Sequence, residues 1–540
     1  MPVLSRIVEC EAPYSFFFNM IEPFWKTASR DSSPLHRLAT LARKQGARAL
    51  VIEDASRLDH VREEISSIDL SSGGGGAAEA TLFSFLTEVP ENEDITSIGD
   101  KALIGQCTVI NYRRRDAGSF DTTFVHEAVF ATPSLRSGEP LLNNFINCHA
   151  DFEVSVLGRQ FRVEGLYYAQ QNGITSVCAH ACIKMVARTL DAGRNAPSTD
   201  RINSIVGGEA PEDGMFVDQI RDGLAALTGC EVRIVDCQGV TPAEYVSVLT
   251  SAADSGDLAL LVFQTKPNAG RDPAAEPRDS QVTNHVVVIY GYTRNSDEWH
   301  PQALPEYSGG PDATHSPASA WVDHFIIHDD NFGPYLTLSS HAIEANKEVR
   351  AEKIVIVRRL STTLEAHTAE AAAAMIMSQA TQLFADDARD NKWLNYLLRY
   401  SRPLVMRPIL LTREEYCDHI LTTECHDGSR LDDDAVRPLR DHLPDVLWMV
   451  EFTLPDLFTG NHSKLGEVLL DGGGGAASSF TTDLISGIRV PSRFLLAQNG
   501  EARDIGAFLQ PKGGNARKMR SFGLLGHSPL YERNPPASQW

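Results

Sequence analysis

The chain reads as an α+β protein, with helices followed by strands in its central part and mixed α/β segments on either side. Three observations predict this. Its 540 residues are enough for roughly three domains at about 100–200 residues each. Ala102–Arg114 and Thr122–Ala131 alternate apolar and polar residues of high β-propensity, which predicts antiparallel strands. Between residues 156 and 360, amphipathic helices come first and the strands that carry polar residues come later.

In residues 1–155, Leu35–Gln45 predicts a helix and Arg48–Ala55 a strand, followed by the alternating strands above. Ser71–Ala80, SSGGGGAAEA, is expected to be a flexible loop. No motif here carries chemistry, so this N-terminal unit has no assigned role. Cys148 and His149 are adjacent but lack further ligands at metal spacing, which leaves them structural.

Residues 156–360 form the central unit. FEVSVLGRQFRVEGLYY reads as one or two strands, and a helix follows from Cys178 to about Thr189. Met215–Leu227 is a second amphipathic helix, ended by Gly229, and Glu231–Cys237 a short strand. Thr241, Pro242 and Glu244 have the spacing of a capping box. Leu258–Thr265, Val282–Thr293, Trp321–Asp330 and Ile354–Leu360 read as strands. The polar loop before Asp279 and the Gly/Pro/Ser-rich linker before Trp321 read as exposed.

Residues 361–540 open with an alanine-rich helix, Leu364–Phe384, and a second helix at Lys392–Ser401. Extended segments follow at Leu447–Leu454, Lys464–Asp471, Gly487–Gln498 and Ser521–Glu532. Gly472–Ala477 repeats the GGGGAA of Gly73–Ala78, and neither is followed by the GK[ST] of a phosphate loop. This C-terminal unit also has no assigned role.

Acidic residues exceed basic ones by 71 − 49 = 22. That argues against a broad nucleic-acid surface and against docking on anionic lipid. The N-terminus lacks the pattern of a signal peptide, and no apolar run approaches the roughly 20 residues of a spanning helix. Nine scattered cysteines suit free thiols in a reducing compartment. A cytoplasmic protein without membrane or nucleic-acid partners is expected; its oligomeric state is open.

The chemistry centres on YYAQQNGITSVCAHACIKM, Tyr167–Met185. Gln171 precedes Cys178, and Cys178 heads a helix whose dipole favours a thiolate. A thiolate nucleophile needs an imidazole, an orienter for that imidazole and donors for the oxyanion. His285 in a strand, Asp330 or Asp329 on the following strand, and Gln171 with the Cys178 backbone N–H supply these roles in order. Each residue alone has an ordinary explanation: a core thiol, a strand-end histidine, a turn. The conjunction in that order is what points to catalysis. Cys182 lies a turn deeper in the helix, and His180 on another of its faces. His324 and His328 read as sheet-face residues. Cys417, His419, Cys425 and His426 are zinc-ligand types, but their spacing matches no common finger, so no metal or other cofactor is expected.

These pieces resemble the papain-like cysteine peptidases, and among them the bacterial C39-like group. The resemblance rests on Gln171 to Cys178 with its helix, on NHVVVIYGY, on FIIHDDNFGPY, and on the helix-first order. It covers roughly 200 residues and neither flank. It implies a helical part packed on an antiparallel sheet, with the site in the cleft between. Ala179 stands where the C39 group usually has glycine, and Asn331 where it usually has proline. Alignment to the papain pattern puts Asp330 in the orienting role and Phe332 as an aromatic shield; counting from the C39 pattern favours Asp329. On a regular strand the two point to opposite faces, so only one serves, and Asp330 is preferred. The implied activity is a peptidase or isopeptidase acting on a protein or peptide through a thioacyl-enzyme. Transglutaminase-like acyl transfer and an inactive scaffold of the same fold are the alternatives.

Overall fold

The computed structural model describes residues 6–9, 14–27, 32–132, 144–207, 214–265, 283–294, 315–340, 349–379, 384, 392–399, 403–421, 431–455, 458, 464–473, 481–490, 493–498, 501–505, 519 and 521–522. Three largely antiparallel seven-stranded sheets, with helices packed against them, make a mixed α+β fold. No helix among the described residues is long and apolar enough to cross a membrane.

The N-terminal part runs β1 (Arg6–Glu9), α1 (Tyr14–Ile21), α2 (Ser33–Lys44), β2 (Ala49–Asp54), α3 (Asp59–Ser71), β3 (Ala77–Leu86), β4 (Leu103–Arg113), β5 (Thr122–Ala131), β6 (Asn144–Ile146), β7 (Ala150–Val156) and β8 (Arg159–Tyr168). All but β6 form the first sheet, in the order β1-β2-β3-β4-β5-β8-β7. A two-residue turn, Leu157 (φ 48°) and Gly158 (φ 84°), joins β7 to β8. Positive φ at both positions is what a twisted hairpin requires. The boundary drawn at residue 155 falls inside this hairpin, and β6 crosses to the second sheet.

Ser71–Ala80 departs from the expectation of a flexible loop. α3 continues to Ser71 and β3 begins at Ala77. Gly73, Gly74 and Gly75 all take positive φ. The Asp69 carboxylate accepts from the backbone N–H of Gly75 (3.0 Å) and Gly76 (2.7 Å) and from the Tyr112 hydroxyl (2.9 Å). The glycines serve a tight left-handed turn here rather than freedom of the chain.

The central part continues with α4 (Cys178–Leu190), α5 (Thr199–Val206), α6 (Val217–Thr228), β9 (Glu231–Asp236), α7 (Pro242–Asp254), β10 (Leu258–Thr265), β11 (Thr283–Arg294), β12 (Ser316–Pro317), β13 (Val322–Asp329), β14 (Gly333–Ser339) and β15 (Val349–Arg358). Its sheet runs β14-β13-β11-β10-β15-β9. Helices cover both faces of β11. Val286, Val288 and Tyr290 join the core shared with α4 and the first sheet, while Val287 and Ile289 join the core under α7. That double burial explains the unbroken apolar run of its sequence. The capping box at Thr241 forms as expected.

The C-terminal part runs α8 (Ala366–Ser378), α9 (Lys392–Arg399), β16 (Val405–Thr412), α10 (Arg413–Leu421), α11 (Asp433–His442), β17 (Val446–Thr453), β18 (Gly466–Asp471), β19 (Ile485–Val490), β20 (Arg493–Gln498) and β21 (Glu501–Asp504). Its sheet is β12-β16-β17-β18-β19-β20-β21, so the central part contributes a strand, β12, parallel to β16. Buried charges cross the junction. Arg407 reaches Asp254 at the end of α7 (2.7 Å) and Glu451 (3.2 Å), and Lys464 bridges Glu451 (2.9 Å) and Glu467 (3.1 Å). The polar loop and linker flanking β11, the second GGGGAA run beyond Gly473, Cys425 with His426, and most of Ser521–Glu532 lie outside the described residues.

Candidate active site

The segment before α4 is held by one side chain. Asn172 is fully buried. Its Oδ1 accepts from the backbone N–H of Ile174, Thr175 and Ser176 at 2.8, 2.8 and 3.1 Å. Its Nδ2 donates to Glu64 of α3 (2.8 Å), and Glu64 also pairs with Lys184 of α4 (3.2 Å). Burial pushes the Glu64 carboxyl up, but Lys184, His126 and Asn172 outweigh that and hold it at about 2. Glu64 therefore stays charged and ties the loop to both helices. Gly173 takes the φ of +74° that the turn requires.

Cys178 is the first residue of α4, after Val177 at the N-cap. The N–H groups of a first helical turn have no intrahelical acceptor. His180 meets part of this need at the helix start. Its Nδ1 accepts from the Val177 N–H (3.2 Å), and its Nε2 lies 2.8 Å from Asn203 Oδ1. Burial lowers its proton affinity, so a neutral ring accepts at Nδ1 and donates at Nε2. Sequence reasoning passed over this role; the signal was a polar side chain three residues after the N-cap.

His285 lies near the start of β11, its ring edge-on to Phe263 with centroids 5.5 Å apart. Its Nε2 is 3.2 Å from Asp329 Oδ2 and 3.7 Å from Asp330 Oδ1. The Cys178 side chain lies close enough to the same imidazole to favour its protonated form. With Nε2 facing the carboxylates, Nδ1 is the nitrogen left for the thiol. Burial pulls the imidazole down, but the hydrogen bond to Asp329, the Cys178 side chain and the charges of Asp329 and Asp330 more than offset it, raising it to about 10.

Asp330 is the acid expected to orient the ring, but the hydrogen bond of the ring is to its neighbour. Asp329 makes the hydrogen bond; Asp330, fully buried, stands half an ångström farther off. The assumption of opposite faces fails for a local reason. The β13–β14 pairing shifts register between Ile327 and Asp329, so side-chain alternation breaks there and both acids approach one ring. Asp329 is itself fixed, since its Oδ1 accepts from the Asn331 N–H (2.8 Å). The Tyr168 hydroxyl donates to the backbone oxygens of Asp329 (3.3 Å) and Asp330 (3.1 Å).

Gln171 lies across from the acids, its Nε2 donating to Asn331 Oδ1 (3.1 Å). One amide proton is thereby committed to joining the two halves of the site. Phe332 is 55% exposed, at the rim beyond Asn331. Cys182 is fully buried and donates to the Val286 carbonyl (3.4 Å); burial holds its thiol well above the usual range. His328 is enclosed by the rings of Tyr168, Tyr290 and Tyr335, and burial lowers it to about 3. His324 pairs with Asp323 (3.1 Å), and His149 with Glu164 (2.7 Å). Of the possible zinc ligands near the C-terminus, Cys417 lies in the core and His419 faces the Lys464 ammonium (2.9 Å), a cation where a metal would sit.

The structure thus brings Cys178, His285, Asp329 and Asp330 to one point, and links Gln171 to it through Asn331. No family model matches the chain, and no curated protein matches its sequence.

Proposed function

We propose that the protein is a cysteine-dependent hydrolase of papain-like type that cleaves amide bonds in a peptide or protein. One observation carries the reading: the His285 imidazole is hydrogen-bonded to the Asp329 carboxylate and has the Cys178 side chain close enough to raise its proton affinity. A chain of thiol, imidazole and carboxylate is the arrangement acyl-transfer chemistry needs.

In the mechanism, His285 holds the proton of Cys178 as an imidazolium, which its position near two carboxylates favours. The Cys178 thiolate attacks the carbonyl carbon, and the carbonyl electron pair moves onto oxygen. The Cys178 N–H and the amide of Gln171 would face that oxyanion. Collapse expels the amine, which takes the proton from His285 and leaves a thioester. Water then attacks with His285 as base, releasing the carboxylic acid and restoring the thiol. Asp329 keeps the ring in the productive tautomer throughout.

An electrophilic thiol-reactive activity probe tests this. Labelling is expected in the wild type and in Cys182→Ser, and its loss in Cys178→Ser. A wild type that takes up no probe across neutral pH, or one labelled at another cysteine alone, contradicts the reading and leaves a scaffold of the same fold.

A further inference from the structure

Outside the Cys178–His285 site, α3 and β5 bring His60, His126 and Glu127 together. One ligand atom from each lies within 4.8 Å of the others. A backbone irregularity makes this possible. β4 and β5 pair Thr108 with Glu127 and Val109 with Val125, so His126 is an extra residue with no partner across the ladder. Adjacent strand residues normally point to opposite faces, and a bulge re-aims one of them.

The group has the chemistry of a cation site. His126 is 9% exposed, and its enclosed Nδ1 has no hydrogen-bond partner. A buried imidazole nitrogen left in that state calls for an explanation, and an ion is one of those that apply. His60 Nε2 lies 2.7 Å from Glu127 Oε1, and the two histidine rings are stacked with centroids 5.8 Å apart. Thr108 (3.5 Å) and the Tyr167 hydroxyl (3.4 Å) donate to the Glu127 carboxylate, as outer partners do for a ligating acid.

The neighbouring cations are engaged elsewhere. Lys184 pairs with Glu64, and the Arg188 guanidinium binds the backbone oxygens of Asp191 and Ala192 and covers the Phe152 ring. The side chains of His60 and Glu127 each keep 26% of their surface, which gives an ion a way in and a water its place.

We propose that His60, His126 and Glu127 bind a divalent ion of the zinc class that clamps α3 to β5. Two imidazoles and a carboxylate at about 2.0–2.2 Å, with one position open to water, suit Zn2+. Because α3 carries Glu64, such a clamp also steadies the loop held by Asn172.

The test is titration of the full chain, stripped by chelator, with Zn2+ and with Co2+, read by calorimetry and by the visible absorption of bound Co2+. The group His285, Asp329 and Asp330 is the rival site. The proposal expects one ion per chain, with affinity lowered roughly tenfold or more in His126→Ala and in Glu127→Gln, and unchanged in His285→Ala. His60→Ala, on a partly exposed helix face, repeats the test should a strand variant fail to fold. No binding by the stripped wild type, affinity unchanged in His60→Ala or Glu127→Gln, or loss confined to His285→Ala overturns it.

Discussion

His285 is the residue on which the proposed mechanism turns, and its charge makes a prediction about pH. Its ordinary value is 6.5, and in the folded chain it is raised to about 10. A raised value means the folded state holds the proton more tightly than the unfolded chain does. The resulting stabilisation is complete below about pH 6.5 and is lost as pH rises through about 10. The alkaline limb of kcat/KM should follow the same group. Asp329→Asn should move that limb to lower pH and reduce kcat/KM by roughly 10²- to 10⁴-fold, by analogy with the orienting acid of serine enzymes. Asp330→Asn should cost less, because Asp330 stands at 3.7 Å and acts through charge. Equal losses in the two variants, or an unmoved limb in both, would contradict the assignment of Asp329. His180 is a positioning residue: His180→Ala removes the acceptor for the Val177 N–H, at a cost of about 0.5–2 kcal/mol for a lost cap. We expect kcat, measured per titrated thiol, to fall roughly ten- to a hundredfold with KM little changed. A merely structural role would lower the active fraction and leave kcat per thiol as it was.

At the scale of elements, the parts legible in the sequence were those governed by periodicity. The alternation in β4 and β5, the apolar stripe of α4 and the capping box of α7 each follow from local pattern, and each stands where it was expected. The parts that escaped depend on breaks in pattern or on distant partners. α3 buries a glutamate, Glu64, beside the apolar Val61 and Ile68; its partners Asn172 and Lys184 lie over a hundred residues away. The glycine run after α3 looked like free chain because the Asp69 carboxylate that organises it is not part of the run. The difference between the preferred Asp330 and the Asp329 that bonds the ring has the same origin. Alternation predicts opposite faces only where the ladder is regular, and the register shift after Ile327 cannot be read from FIIHDDNF. The meeting of Cys178 and His285 was legible because the proposed roles demand a residue type at an element's start; which acid bonds the ring was not, because two of one type stood side by side. The loop itself makes a prediction. Asn172→Ala strips three backbone N–H groups of an acceptor and Glu64 of a donor. At about 1–3 kcal/mol for each buried group left unmet, urea denaturation should show one of the larger losses for a single substitution outside the apolar core. A change under about 0.5 kcal/mol, the range of a neutral surface substitution, would show that the loop is held by other means.

At the scale of the whole molecule, two sheets meet at the site and a third is joined to them by buried charge. α4 packs on β8 of the first sheet and on β11 of the second, so Cys178 and His285 sit on elements with a common core. The third sheet is fastened through Arg407, which is 1% exposed and pairs with Asp254 and Glu451. Arg407→Ala leaves Asp254 buried without its cation, while Glu451 keeps Lys464. Breaking a buried pair from one side costs about 3–5 kcal/mol, and the loss should appear in chemical denaturation, whereas an exposed pair such as Arg437–Asp434 should cost about 0–1 kcal/mol. The central claim is that Cys178 reacts as one unit with His285. It is tested most directly by the rate at which iodoacetamide alkylates Cys178 at neutral pH, followed by peptide mass analysis in the wild type and in His285→Ala. The account predicts rapid alkylation of Cys178 in the wild type, none at Cys182, and a rate at least roughly tenfold lower in His285→Ala, since the thiolate rather than the thiol is the nucleophile. An equal rate at Cys178 in the two proteins would contradict it.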